Sequence, residues 1–87
     1  MARYYPAGEE QWLADRRGPA TLVLSDESVW EVSDRDVEKI AHWIRFSTIT
    51  VSEVEVAGRI VYVLANKSFG MQVRANFLGM INEAGVA

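Results

Sequence analysis

His42 is the only histidine in the chain, and cysteine is absent. Nucleophilic catalysis of the Ser–His–Asp or Cys–His kind needs that imidazole as its base. Its surroundings, Glu38-Lys39-Ile40-Ala41-His42, set it on the charged side of a helical repeat, four residues after Glu38. That spacing predicts a surface pair with Glu38, not a catalytic base. The lack of cysteine excludes disulfides and thiolate zinc sites, and a histidine-based site would have only carboxylates to complete it. Asp34-x-Asp36-x-Glu38 begins like a calcium loop. Such a loop needs Gly at its sixth position and Glu at its twelfth, and Lys39 and Arg45 stand there. Glu31, Glu53 and Glu55 offer carboxylates for acid–base work, but acids alternating with apolar residues mark the wet face of a sheet. Gly58, Gly70 and Gly79 are too scattered to cradle a phosphate. The residues therefore predict no catalysis, no metal and no cofactor.

Binding chemistry is better represented. Residues 26–55 carry eight acids against three bases, net −5, whereas residues 56–87 are net +2 and the whole chain is −3. Asp26, Glu27, Glu31, Asp34, Asp36 and Glu38 are expected to form an acidic docking face for a protein with a basic surface, because complementary potentials steer association. Arg59, Lys67, Phe69 and Arg74, with Trp30 and Tyr62, offer the alternative of a stacking platform for single-stranded nucleic acid. The acidic middle of the chain opposes that alternative, since nucleic-acid binding needs a basic footprint.

The elements that must position these residues follow from length and periodicity. Eighty-seven residues, 49% hydrophobic, make one domain with a modest core, read as a helical segment over 1–19, a β-core over 20–78 and a fraying tail over 79–87. Glu9 and Glu10 suit a helix start, Arg16 and Arg17 a helix end, and Gly18-Pro19 a stop, so a short helix is expected over Gly8–Arg17 with Trp12 and Leu13 as core anchors. Thr21-Leu22-Val23-Leu24 and Val29-Trp30-Glu31-Val32 flank a turn and read as a hairpin, Trp30 and Val32 inward and Glu31 outward. Ser33 is a candidate cap for an amphipathic helix with Val37, Ile40, Ala41 and Ile44 on one face. After Ser47 the period becomes two. Ile49 and Val51 are out of phase with Val54 and Val56, which predicts a bulge at Ser52-Glu53. Ile60 to Ala65 is a continuous apolar run, as in a strand covered on both faces, and Met71 to Phe77 alternate as a half-exposed strand.

The string Leu24-Ser25-Asp26-x-Ser28-x-Trp30-Glu31-Val32, followed by Trp43, Ile49-x-Val51, Tyr62-x-Leu64-x-Asn66 and Val73-x-Ala75, is similar to a set of small uncharacterised bacterial proteins with an LSDGSxWEV hairpin. The resemblance covers about residues 21–78 and implies a compact β-barrel. It assigns no activity. Glu27 stands where those proteins have Gly, which puts the turn geometry in question.

The expected fold is mainly β, a small five-stranded, partly open barrel of the SH3 or OB style with one short helix between the second and third strands. A two-layer α+β sandwich is the alternative. No apolar stretch approaches the roughly 20 residues that span a bilayer, and the polar, aromatic N-terminus does not read as a signal peptide. A cytoplasmic, non-enzymatic protein-binding module is expected, of the accessory or inhibitor kind that phages and mobile elements encode. A homo-oligomeric structural subunit, pairing through an open barrel edge, is a third reading.

Overall fold

A computed structural model describes Tyr5 and residues 8–81. The chain is mainly β and forms a small barrel, as expected, but the barrel has six strands and is closed. The strands are β1 (Glu10–Arg16), β2 (Thr21–Leu24), β3 (Ser28–Val32), β4 (Thr48–Val56), β5 (Arg59–Asn66) and β6 (Met71–Met80). A 3₁₀ helix, η1 (Asp34–His42), links β3 to β4. The order around the barrel is β1-β2-β3-β6-β5-β4, every pairing antiparallel.

The extra strand is the segment expected to be helical. β1 pairs on one side with β2, at Leu13↔Leu24, and on the other with β4, at Trp12↔Thr48, and so closes the barrel. Its charges favour helix ends by only a few tenths of a kcal/mol up to about 1 kcal/mol each. Two ladders and the full burial of Leu13, worth about 1.5–3 kcal/mol, outweigh that. Arg16 does bind a helix C-terminus, but that of η1: its Nη1 donates to the carbonyls of Ile40 at 3.0 Å and Ala41 at 3.4 Å.

The core is one cluster. Leu13, Leu22, Leu24, Trp30, Val32, Ile49, Val51, Tyr62, Leu64, Val73 and Ala75 point inward from the six strands, and Ile40 and Trp43 come from η1 and the residue after it. Around Tyr5 and Trp30 the packing is aromatic, with ring centroids 5.0 Å apart and Tyr62 and Phe77 at 5.3 and 5.1 Å from Trp30. Tyr5 and Tyr62 meet the Trp30 ring edge-on and Phe77 is tilted against it; edge-on pairs add about 0.5–1.5 kcal/mol each beyond burial.

Several local expectations are corrected. The expected bulge at Ser52-Glu53 is absent, since the β4–β5 register is unbroken from Ile49↔Asn66 to Val56↔Arg59. The phase slip instead turns Val54 and Val56 to the outer face, where both are exposed. β5 is covered on one face only: Tyr62, Leu64 and Asn66 are buried and the residues between them are not. Ser33 makes no side-chain cap bond, and the helix it precedes is 3₁₀, not α. With three residues per turn the pairing spacing is i,i+3, and the observed pair is Asp36–Lys39 at 3.2 Å; among the described residues Glu38 and His42 form no ion pair. The tail expected to fray from residue 79 is strand as far as Met80, with Gly79 opposite Val29 and Met80 opposite Ser28, and the Ile81 N–H donates to Glu27 O at 2.7 Å; residues 82–87 lie outside the described residues.

Beyond Thr50 on β4 and before Tyr62 on β5, the hairpin of these two strands has no described strand on either side and forms an arm. Its turn, Ala57-Gly58, has positive φ at both residues (52° and 77°), the primed type whose twist matches the flanking strands.

Candidate interaction surface

The hairpin string that carries the resemblance is occupied with structure. Trp30 Nε1–H donates to Ser28 Oγ at 2.9 Å, and Ser28 Oγ donates to Asp26 Oδ1 at 2.5 Å. The Ser28 backbone N–H also donates to Asp26 Oδ1, at 3.1 Å, and the Tyr5 hydroxyl donates to Oδ2. Tyr5 in turn donates its backbone N–H to the Tyr62 hydroxyl at 2.8 Å. Asp, Ser and Trp at spacing two are thus one hydrogen-bonded relay that seats a fully buried indole. Burial, and then the Asp26 carboxylate, push the Tyr5 hydroxyl well above the ordinary tyrosine range, so it is neither base nor nucleophile. Glu27, between Asp26 and Ser28, sits at φ 70°. Glycine adopts such a left-handed backbone without steric cost.

The acidic residues named from the sequence do not form one face. Asp26 is taken up by the relay. Asp36 accepts the Arg74 backbone N–H at 2.9 Å and pairs with Lys39. The Arg74 bond, ahead of Lys39, holds its carboxyl below the ordinary range despite partial burial. Glu27 lies in the β2–β3 turn, Glu31 on the outside of β3, and Asp34 and Glu38 on η1, all exposed. Glu31 and Asp34 share an open recess of about 430 Å³ with Arg74 and Asn76. Glu53 and Glu55 lie on β4, separated from Glu31 on β3 by β6 and β5, so the three acids make no carboxylate pair across these strands. Among the described residues no cluster of His, Asp and Glu is placed to hold a metal, and no helix is long and apolar enough to cross a membrane.

The nucleic-acid candidates are dispersed as well. Arg59 and Lys67 flank opposite ends of β5, and Lys67 pairs with Glu10 at 3.1 Å. Arg74 stands on β6 beside η1. Phe69 is exposed in the β5–β6 turn, whereas Trp30 and Tyr62 are buried and offer no stacking face.

Three exposed large apolar side chains lie elsewhere, on β1 and on the loop that leads into β4. Trp12 is 51% exposed, Ile44 64% and Phe46 70%. Trp12 and Ile44 were expected in the core. Trp12 faces outward because β1 is a strand whose inward position is Leu13, and Ile44 lies past the end of η1. The loop 44–47 is held firmly: Phe46 N–H donates to Leu13 O at 2.8 Å, Leu13 N–H to Ser47 O at 2.9 Å, and Ser47 Oγ to Ile44 O at 2.7 Å. Arg45 Nε donates to Ala14 O at 3.0 Å, and its guanidinium lies 5.3 Å from the Phe46 ring centroid. Phe46 has φ 70°, a conformation that costs a bulky residue about 1–2 kcal/mol. The signal for this surface was present in the sequence as Ile44-Arg45-Phe46, two large apolar residues around an arginine beyond the helix end.

No protein-family model, curated protein or solved structure matches the chain.

Proposed function

We propose that the protein is a non-catalytic protein-binding module whose docking surface is Trp12, Ile44 and Phe46, with Arg45 beside them. The observation that carries this reading is Phe46: a bulky aromatic held in a left-handed backbone and still 70% exposed. Within the chain the ring meets the Arg45 guanidinium, 5.3 Å from its centroid, yet stays mostly in solvent, and strain of this kind concentrates at binding sites. Trp and Arg are enriched among the residues that dominate interface energies, and the rigid barrel removes ordering cost on association. Covering a partner's surface without chemistry is the mode of an accessory or inhibitor protein. The test is affinity capture from lysate with wild type, Trp12→Ser and the control Ser52→Ala. A stoichiometric protein retained by wild type and control and lost by Trp12→Ser supports the reading. Equal retention by all three, or self-association alone, overturns it.

A second reading keeps a partner with a basic surface and narrows the acidic face to Glu31, Asp34 and Glu38. It is favoured by the recess that Glu31 and Asp34 share. Charge reversal at these three positions then abolishes capture at low salt while Trp12→Ser leaves it intact.

A further inference from the structure

An open groove of about 680 Å³ runs between the β4–β5 arm and η1. One side is apolar: Val54 and Val56 of β4 with Val61 and Val63 of β5. These four lie on the outer face, Val54 directly opposite Val61. The other side carries Arg35 and Lys39 of η1 and Arg74 of β6. Asp36 is the one acid lining the groove, and it is taken up by Lys39 and the Arg74 backbone N–H. Among the described residues no ion pair within 4 Å engages the guanidinium groups of Arg35 and Arg74, and the Arg74 charge acts at longer range on Asp36, after Lys39. In a chain of net charge −3, cations therefore collect at this groove.

We infer that this groove binds an extended acidic segment of a protein partner, one whose apolar and acidic residues alternate. Along each strand of the arm the valines repeat at i,i+2, about 6.6 Å, which is the repeat of same-side side chains in an extended chain. Such a chain sends successive side chains to opposite sides. Lying in the groove, it sets its apolar side chains on the valines and its carboxylates toward Arg35 and Arg74. Arginine suits that contact, because its planar fork matches a carboxylate. An alternating basic segment meets like charge on the same wall. The site is separate from Trp12 and Phe46, and the inference stands whether or not they dock a protein.

The probe is a capped octapeptide of alternating Asp and Val, titrated into the full chain with methyl NMR shifts read at the valines. Binding is expected to shift the Val54, Val61 and Val63 methyls and to weaken markedly between low and high salt, as screening requires for exposed pairs. The Arg35→Glu/Arg74→Glu double variant is expected to bind about tenfold more weakly or worse, since it removes both carboxylate partners and sets like charge in their place. A Lys–Val octapeptide is expected not to bind. Val61→Ser/Val63→Ser tests the apolar wall independently, and Trp12→Ser is expected to bind the peptide normally. Absence of binding, shifts confined to another surface, equal affinity for the Lys–Val peptide, or unchanged affinity in the double charge reversal overturns the inference.

Discussion

Ser28→Ala is expected to be among the most destabilising single-atom deletions in the chain. Ser28 and Trp30 are fully buried, and the Ser28 hydroxyl accepts from the indole at 2.9 Å while donating to Asp26 at 2.5 Å. Removing Oγ leaves the indole N–H without a partner in the core, at about 1–3 kcal/mol. It also takes one donor from Asp26, which keeps the Ser28 backbone N–H and the Tyr5 hydroxyl; that loss adds about 1 kcal/mol. The total is about 3 kcal/mol, out of roughly 4–13 kcal/mol for a domain of this size at 0.05–0.15 kcal/mol per residue. At about 4–8 °C per kcal/mol the Tm falls by about 10–25 °C. Urea unfolding followed by tryptophan fluorescence, with calorimetry, measures this directly. The double-mutant cycle sharpens it: in a Trp30→Phe background no indole N–H is orphaned, and Ser28→Ala should cost only about 1 kcal/mol. A cost below about 0.5 kcal/mol, the range of an inert surface change, or an equal cost in both backgrounds refutes the relay as the reason for the Asp-x-Ser-x-Trp spacing.

Other consequences follow from single positions. The Tyr5 hydroxyl is raised in the folded state, so its contribution to stability is present below the unfolded tyrosine range near pH 10 and is lost as pH climbs above it; Tyr5→Phe should flatten that alkaline slope in unfolding experiments. Asp36 is lowered, so its contribution is present above the ordinary carboxylate range and is lost as pH falls through the folded value. Asp36→Asn, measured by unfolding between pH 2 and 7, should reduce the acid-side loss. Ala57→Asn, at φ 52° in the primed turn, should stabilise by about 0.5–1 kcal/mol, because Asn tolerates this backbone better than Ala; a loss of stability in chemical denaturation contradicts the turn assignment.

The β2–β3 hairpin was legible because its pattern is local: Leu22, Leu24, Trp30 and Val32 alternate with residues of the other face, and the observed register, Leu22↔Trp30, keeps that alternation. The β6 alternation was legible for the same reason. β1 was not, because the charges at its ends and the Gly18-Pro19 stop are compatible with a helix. What makes it a strand is pairing with β2 and with β4, whose Thr48 is 36 positions from Trp12. Tertiary pairing overrode local preference, as is usual for β structure. Closure of the barrel and the outward turn of Trp12 both follow from that one strand. Asp26 and Asp36 read as surface charge in the sequence, because their partners, Tyr5 and the Arg74 backbone, are 21 and 38 residues away. Val54 and Val56 showed the right phase slip, but the arm absorbs it by projecting past the barrel, where both faces are open.

Phe46→Gly tests the central claim most directly. Glycine adopts φ 70° without strain, and the ring it removes is mostly in solvent. The variant is therefore expected to be more stable than wild type by about 0.5–1 kcal/mol in urea unfolding. At the same time it is expected to lose the protein that wild type captures. Gain of stability with loss of capture is what a residue held for binding predicts. A Phe46→Gly protein that captures the same partner at the wild-type level contradicts the account.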